Sequence, residues 1–237
     1  MAAQTRAAGW TGVKWVVPPK GGTEAERLRR LSAEMEAVRR GGGPDLDIAL
    51  EMWETLTVRT APDLARAVAP FRPLFLEEPF WREVPRALGE IAARSPVPVA
   101  AGEALVSRYE FRQLLEARGA QILPPDVIHC DGTTETRRIA ALGETYGAEI
   151  APRMFYGPAA HVASLQAVAS TRNFLMQEWD AALDAVFESI TGGTYPKVRH
   201  GHATLSERPG LGLEMDWATL DKRYPYRGQS LRPPGGH

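Results

Sequence analysis

The chain has a single cysteine, Cys130, so no disulfide can form within it and a packed core must hold the fold. That usage fits a reducing compartment, and the expected location is cytoplasmic. No apolar run reaches the roughly 18 residues that a membrane-spanning helix needs. The opening residues, Met-Ala-Ala-Gln-Thr-Arg, contain no hydrophobic signal core. An excess of one charge is lacking too. The formal net charge is −1, which gives neither nucleic acid nor a membrane surface a basic face to bind. What is present is an ordinary globular composition: 237 residues, 44% of them hydrophobic, enough to bury one large core.

Three apolar runs each end in an acid. They close on Glu51, Glu77 and Glu103, and the glutamates are spaced 26 residues apart. The middle run, Leu74, Phe75 and Leu76 followed by Glu77, Glu78 and Pro79, reads as a short buried parallel strand stopped by proline. Either its acids reach solvent beyond the strand end, or they are held by a cation, because burying an unpaired carboxylate is costly. The rhythm favours the cation. A βα unit of a parallel barrel takes about 30 residues, so three successive strands would set three carboxylates side by side at one rim. An all-oxygen, anionic set of this kind suits a hard divalent ion, and Mg²⁺ is the expected cofactor.

The same alternation runs along most of the chain. Strands are expected at 10–17, 47–53, 74–79, 97–103, 120–126, 148–152 and 173–178. Pro18 and Pro19 would close the first. Helices are expected from a Thr23 cap to Arg40 with Gly41 as the stop, from Thr60 or Asp63 to Val68, and over 84–94. Three more should run from a Ser107 cap to Gly119, over 134–146, and from Gly157 or Pro158 onward. Seven strands alternating with six helices predict an α/β fold with helices outside a parallel sheet, as a TIM-type barrel or a doubly wound sheet. Residues 181–200 show no clean strand beyond a short one near Val198. The expected layout is a barrel over 1–200, a C-terminal return segment over 201–226, and a disordered Pro- and Gly-rich tail over 227–237.

Further polar residues fall on the same beat. Asp126 follows Glu103 by 23 residues, Arg153 follows by another 27, and Glu178 by another 25. Lys14 lies late in the first strand. In a parallel barrel the active site lies at the carboxyl ends of the strands, so all seven should converge on one mouth. His129 and His161 fall off this beat and read as loop and helix residues.

These motifs together resemble the barrel domain of the enolase superfamily, in its mandelate racemase and muconate lactonizing enzyme branch, and most of all the acid-sugar dehydratases of the galactonate type. The resemblance rests on Leu76 to Pro79, on Ala101, Gly102 and Glu103, on Pro125 and Asp126, and on Asn173 to Glu178. The stretch from Ser107 to Phe111 and that from Gly157 to Ala160 support it. The resemblance implies a (β/α)7β barrel with Glu51, Glu77 and Glu103 as Mg²⁺ ligands. It also implies a hydroxy-carboxylate (sugar acid) substrate, proton abstraction beside its carboxylate, enediolate stabilisation, and departure of a β-hydroxyl. Asp126 and Arg153 would flank the substrate, with Glu178 opposite the metal.

The chain departs from the family pattern at four positions. Glu51 replaces the usual aspartate ligand, and Trp53 stands where asparagine or histidine is common. Val16 occupies the second basic position of the first strand. Arg153 occupies the place of the histidine that pairs with the strand-5 aspartate. Arginine stays protonated, so it cannot serve as a base. Lys14 is then the remaining strand-end candidate, if its pKa is lowered. Family members also carry an N-terminal domain that caps the mouth, and this chain starts just before its first strand. The expectation is a barrel lacking that cap. It should expose Trp15, Phe80, Phe155 and Tyr156 and associate as a homo-oligomer. Two other readings stay open: a barrel that retains fold and metal but not turnover, and a module that binds carboxylates through Arg153.

Overall fold

The computed structural model describes residues 2–17 and 21–225. The expected stop at Pro18 and Pro19, and the tail over 227–237, lie outside the described residues. A short helix, α1 (Ala2–Ala7), precedes β1 (Gly12–Val16). The alternation then runs α2 (Glu24–Gly42), β2 (Asp47–Glu51), α3 (Thr60–Val68), β3 (Phe75–Glu77), α4 (Pro85–Arg94) and β4 (Val99–Ala100). It continues through α5 (Arg108–Glu116), β5 (Ile122–Leu123), α6 (Thr133–Thr145), β6 (Glu149–Ile150) and α7 (Pro158–Val168).

Helix boundaries follow local chemistry. Thr23 and Glu26 close a reciprocal capping box at the start of α2: the Glu26 carboxylate accepts the Thr23 N–H at 2.7 Å, and the Thr23 hydroxyl accepts the Glu26 N–H at 3.3 Å. The expected stop at Gly41 comes two residues late, at Gly43, which has φ of 82°. Gly41 and Gly42 stay helical, with close packing at Gly42. A Cβ on Gly42 would lie 2.3 Å from the Leu46 side chain. At α5, Glu110 accepts the Ser107 N–H at 2.9 Å, as the Ser107 cap predicts.

The six strands form one parallel sheet in sequential order, β1 to β6. Register decides which side chains meet at its edge. Glu51 pairs directly with Glu77, and Glu77 with Ala100, so the acids at the strand ends become lateral neighbours. The strands are shorter than the sequence suggests, because prolines at 98, 124, 125 and 152 have no N–H to extend the ladders. The expected seventh strand is a single parallel bridge, Ile150 to Phe174, extended by the Leu175 N–H bonded to the Ile150 carbonyl at 2.8 Å.

Helices α2 to α4 pack Leu31, Met35, Leu64 and Ile91 against Ile48, Leu50 and Leu76 of the sheet. Helices α5 and α6 continue this layer with Phe111, Leu114 and Ile139 over Leu123 and Ile150. The other face of the sheet encloses Ala49, Phe75, Ala100, Ile122 and Ala151, joined by Leu175 and Met176. Residues of β2 and of the seventh segment meet in that one cluster, so the sheet curls strongly around it.

The C-terminal part differs from expectation. It contains helix α8 (Asp184–Ile190), an antiparallel hairpin of β7 (Val198–Arg199) and β8 (His202–Ala203), and helix α9 (Trp217–Arg223). Only the strand near Val198 had a signal in the sequence. Residues 210–216 do run back over the body, where Leu211, Leu213 and Met215 pack with Phe187, Ile190 and Tyr195.

Arg39 ties the entrances of β2 and β3 to α2. Its guanidinium donates to the carbonyls of Gly43, Pro44 and Leu46 and to those of Phe71 and Arg72, at 2.5 to 3.2 Å. Hydrogen bonds to a charged group contribute about 1.5–3 kcal/mol each, net of exchange with water, and less where the group is partly exposed. Arg39→Met should cost roughly 2–3 kcal/mol of unfolding free energy in urea denaturation. A loss indistinguishable from zero would mean that water replaces the side chain freely.

Candidate metal centre at the strand ends

Glu51, Glu77 and Glu103 each offer a carboxylate oxygen, and the three oxygens lie within 4.8 Å of one another. The sheet register holds the first two, and the loop after β4 supplies the third. Glu51 and Glu77 are each only 2% exposed. An octahedral Mg²⁺ at about 2.1 Å from each oxygen separates its ligands by about 3.0 to 4.2 Å, within the span of this set. The donor set is anionic and all-oxygen, which fits Mg²⁺ and suits no soft metal.

The other predicted residues arrive at the same place. The Lys14 ammonium lies 2.9 Å from Glu77, 2.9 Å from Glu178 and 3.6 Å from Glu51. It therefore links β1 to the seventh segment across the gap in the sheet. Arg153 stands 2.8 Å from Glu103 and 3.1 Å from Asp126. Asp126 is fully buried, and its second oxygen accepts the Ile128 N–H at 2.8 Å. Glu178 accepts the Met154 N–H at 2.7 Å, which fixes the loop after β6. All seven predicted residues thus converge on one mouth.

Electrostatics there are set by burial among like charges. Burial raises Glu51 to about 7; Lys14 and the Trp53 N–H oppose the rise, while Glu103 and Glu78 add to it. Glu77 is pushed up for the same main reason, against the pull of Lys14. Burial alone would lower Lys14, but Glu77, Glu178 and Glu51 outweigh it and raise its pKa above the ordinary lysine value. Among these carboxylates Lys14 is held as an ammonium, and the lowered pKa that a base needs is not present.

Sequence reasoning missed a second tier of this mouth. Glu78 is 1% exposed, and one of its oxygens accepts the N–H groups of Gly102 and Glu103 at 2.7 and 2.9 Å. Arg82 lies 2.8 Å from Glu54, 3.5 Å from Glu78 and 3.8 Å from Glu103. The sequence signal was the doubled acid followed by an arginine four residues on.

His129 is a loop residue as expected, bonded through its ring to the Glu103 carbonyl at 3.1 Å and to the Tyr156 hydroxyl at 2.8 Å. His161 is a helix residue as expected. It is buried, bonded to the Tyr195 hydroxyl at 2.6 Å, and lowered by burial to about 4. Of the four aromatics expected to be exposed, only Phe155 is. Trp15 and Phe80 pack against the core, and Tyr156 is half-buried on His129.

Comparison with known proteins agrees with this geometry. Residues 1–219 match the family described as "Enolase C-terminal domain-like". The chain belongs to this family. D-galactonate dehydratase of Cronobacter sakazakii is 34% identical over 196 residues, covering 79% of the chain and 51% of that protein. The Variovorax paradoxus D-galactonate dehydratase is 34% identical over 189 residues, with 78% and 50% covered. The enolase-type chain thus spans about half the length of these relatives. A mandelate racemase/muconate lactonizing enzyme from a Jannaschia species superposes with TM-score 0.87 at 30% identity, covering 96% of this chain and 59% of that one. No helix among the described residues of this enolase-type domain is long and apolar enough to cross a membrane.

The raised Glu51 gives stability a pH dependence of definite sign. Its pKa moves from 4.5 in the unfolded chain to about 7 when folded. Its contribution is therefore complete below the unfolded value and lost as pH rises through the folded one. In EDTA, Glu51→Gln should match the wild type near pH 5 and exceed it near pH 8 by roughly 1–3 kcal/mol, the worth of one to two units of carboxylate shift. Denaturation at both pH values measures this, and an equal difference at the two would contradict it.

Proposed function

We propose that this domain is the barrel half of a Mg²⁺-dependent acid-sugar dehydratase acting on a hydroxylated carboxylic acid. The observation that carries the reading is the convergence of Glu51, Glu77 and Glu103 within 4.8 Å at adjacent strand ends. The D-galactonate dehydratase relatives support the substrate class. The closed (β/α)7β barrel belongs to the same proposal, supported by the inner cluster that joins β2 to the seventh segment. So do a cytoplasmic location and a homo-oligomeric state.

Glu51, Glu77 and Glu103 would hold the ion. When bound it supplies a Lewis acid that anchors a substrate carboxylate and takes up negative charge. The chain's own groups do the rest. Arg153, held by Glu103 and Asp126, keeps a positive charge at the mouth that orients an anion but accepts no proton. Glu178 holds the loop after β6 and faces Lys14. Lys14 is the strand-end amine, and its three carboxylate neighbours keep its proton on nitrogen. Positioned acid–base groups contribute about 10²–10⁴-fold. Turnover by this chain is therefore expected to be slow.

A second reading, that the domain binds metal and acid but does not turn over, is favoured by Arg153 and Trp53 standing at the two histidine positions. Two measurements separate the readings. Millimolar Mg²⁺ should raise the melting temperature of the wild type and leave Glu77→Gln and Glu103→Gln unmoved; no shift in the wild type would remove the metal site. A sugar-acid panel including D-galactonate, scored by α-keto acid formation with and without Mg²⁺, tests the chemistry. Slow, Mg²⁺-dependent product that disappears in Lys14→Ala supports the first reading. Binding without product supports the second, and fast turnover that survives Lys14→Ala overturns the assignment of Lys14.

A further inference from the structure

The second tier beneath the three metal-site acids has a geometry of its own. Glu78 directly follows Glu77, so strand alternation turns it away from Glu77, and its backbone lies in the left-handed region with φ of 41°. One oxygen, Oε1, clamps the backbone N–H groups of Gly102 and Glu103. The other, Oε2, is buried without a hydrogen-bond partner and faces Arg82 Nε, which is likewise buried without one, at 3.5 Å. Arg82 bridges three loops: it is bonded to Glu54 after β2, faces Glu78 after β3, and stops 3.8 Å short of Glu103 after β4. Left-handed non-glycine residues persist where surrounding structure holds them, and Trp53 and Glu54 in the first of these loops share the conformation, with φ of 47° and 54°.

We infer that Glu78 is a positioning residue for Glu103: it fixes the Glu103 backbone and, by engaging Arg82, keeps that guanidinium from closing on the Glu103 carboxylate. The inference rests on the metal reading given above. Its physical content is a competition. Arg82 and a divalent ion both want the same carboxylate, and Arg82 is already within 4 Å of it. The buried Glu78 carboxyl, 3.5 Å from Arg82 Nε, holds Arg82 back. Outer partners of metal ligands typically change affinity about 10–100-fold when altered.

The test is a Mn²⁺ titration of the full chain followed by electron paramagnetic resonance. Glu78→Gln keeps an oxygen for the two backbone N–H groups but turns an amide toward Arg82, so Arg82 is released. It should bind Mn²⁺ about tenfold more weakly than the wild type, with an altered spectrum of the bound ion. The double variant Glu78→Gln/Arg82→Met removes the competitor and should recover most of that loss together with the wild-type spectrum. A general loss of local packing would not be reversed by a second substitution, and a loss of charge alone would leave the spectrum unchanged. Affinity in Glu78→Gln within about twofold of wild type, well below the usual outer-partner effect, overturns the inference. So does a double variant that stays as weak as the single one. Should Glu78→Gln fail to fold, Arg82→Met alone decides: its affinity must equal or exceed that of the wild type, and a weaker one overturns the inference. No Mn²⁺ signal from the wild type removes the metal reading and this inference with it, an outcome distinct from the others.

Discussion

Negative charge crowded at one end of a parallel sheet is the constraint on which the rest of this structure depends. Among the described residues, seven carboxylates, Glu51, Glu54, Glu77, Glu78, Glu103, Asp126 and Glu178, pair with Lys14, Arg82 and Arg153. Parallel pairing forces the crowding, because every strand delivers its carboxyl end to the same side, and the register sets Glu51 beside Glu77. Like charges directly opposite each other on neighbouring strands destabilise a sheet. The cations answer this by each touching more than one acid, so each ties two or more strand ends together. Among the described residues these acids outnumber the paired cations by four, an excess that a divalent ion would offset.

The loops that carry these groups are held in strained conformations by the same network. The Trp53 N–H bonds to the Glu51 carboxylate at 2.8 Å, the Glu54 N–H to the Glu78 carbonyl at 2.7 Å, and the Glu78 N–H to the Ala100 carbonyl at 2.9 Å. Each bond joins one strand end to itself or to the next. Backbone strain of this type costs on the order of 1–3 kcal/mol per residue, so these contacts must over-determine the geometry. The result is a rim whose side-chain positions depend on neighbouring loops more than on the strand that bears them.

This is also why some of the molecule was legible in the sequence and some was not. The βα rhythm and the seven residues at strand ends follow from one-dimensional signals: apolar runs, helix caps and even spacing. Strand lengths were overestimated because apolar character continues past the point where proline ends the ladder, as at Pro124 and Pro125. Helix α8 escaped notice because seven residues give too little periodicity, and its apolar face makes sense only against Tyr195 and the returning segment. The role of Glu78 was hidden for a different reason. Strand alternation would merely have turned it away from Glu77, and nothing in the sequence announces a left-handed turn that drives a carboxylate onto the next loop's N–H groups.

Arg153 changes what the far side of the mouth can do. A histidine beside Asp126 could pass a proton back and forth, whereas a guanidinium in the same place holds its charge at every accessible pH. Here it is also shared. It bonds Asp126 on one side and Glu103 on the other, and stacks near Phe155 and Tyr156 with ring centroids 5.5 and 5.9 Å away. Such a group is well suited to holding an anion in one orientation and poorly suited to any step in which charge must move. In the proposed reading, recognition of the acid therefore stays with Arg153 and the three metal-site glutamates, while proton transfer is left to Lys14, which touches Glu77 and Glu51. Lys14 is surrounded by the very carboxylates that keep it protonated, so binding and turnover depend on opposite properties of the same crowded set of charges.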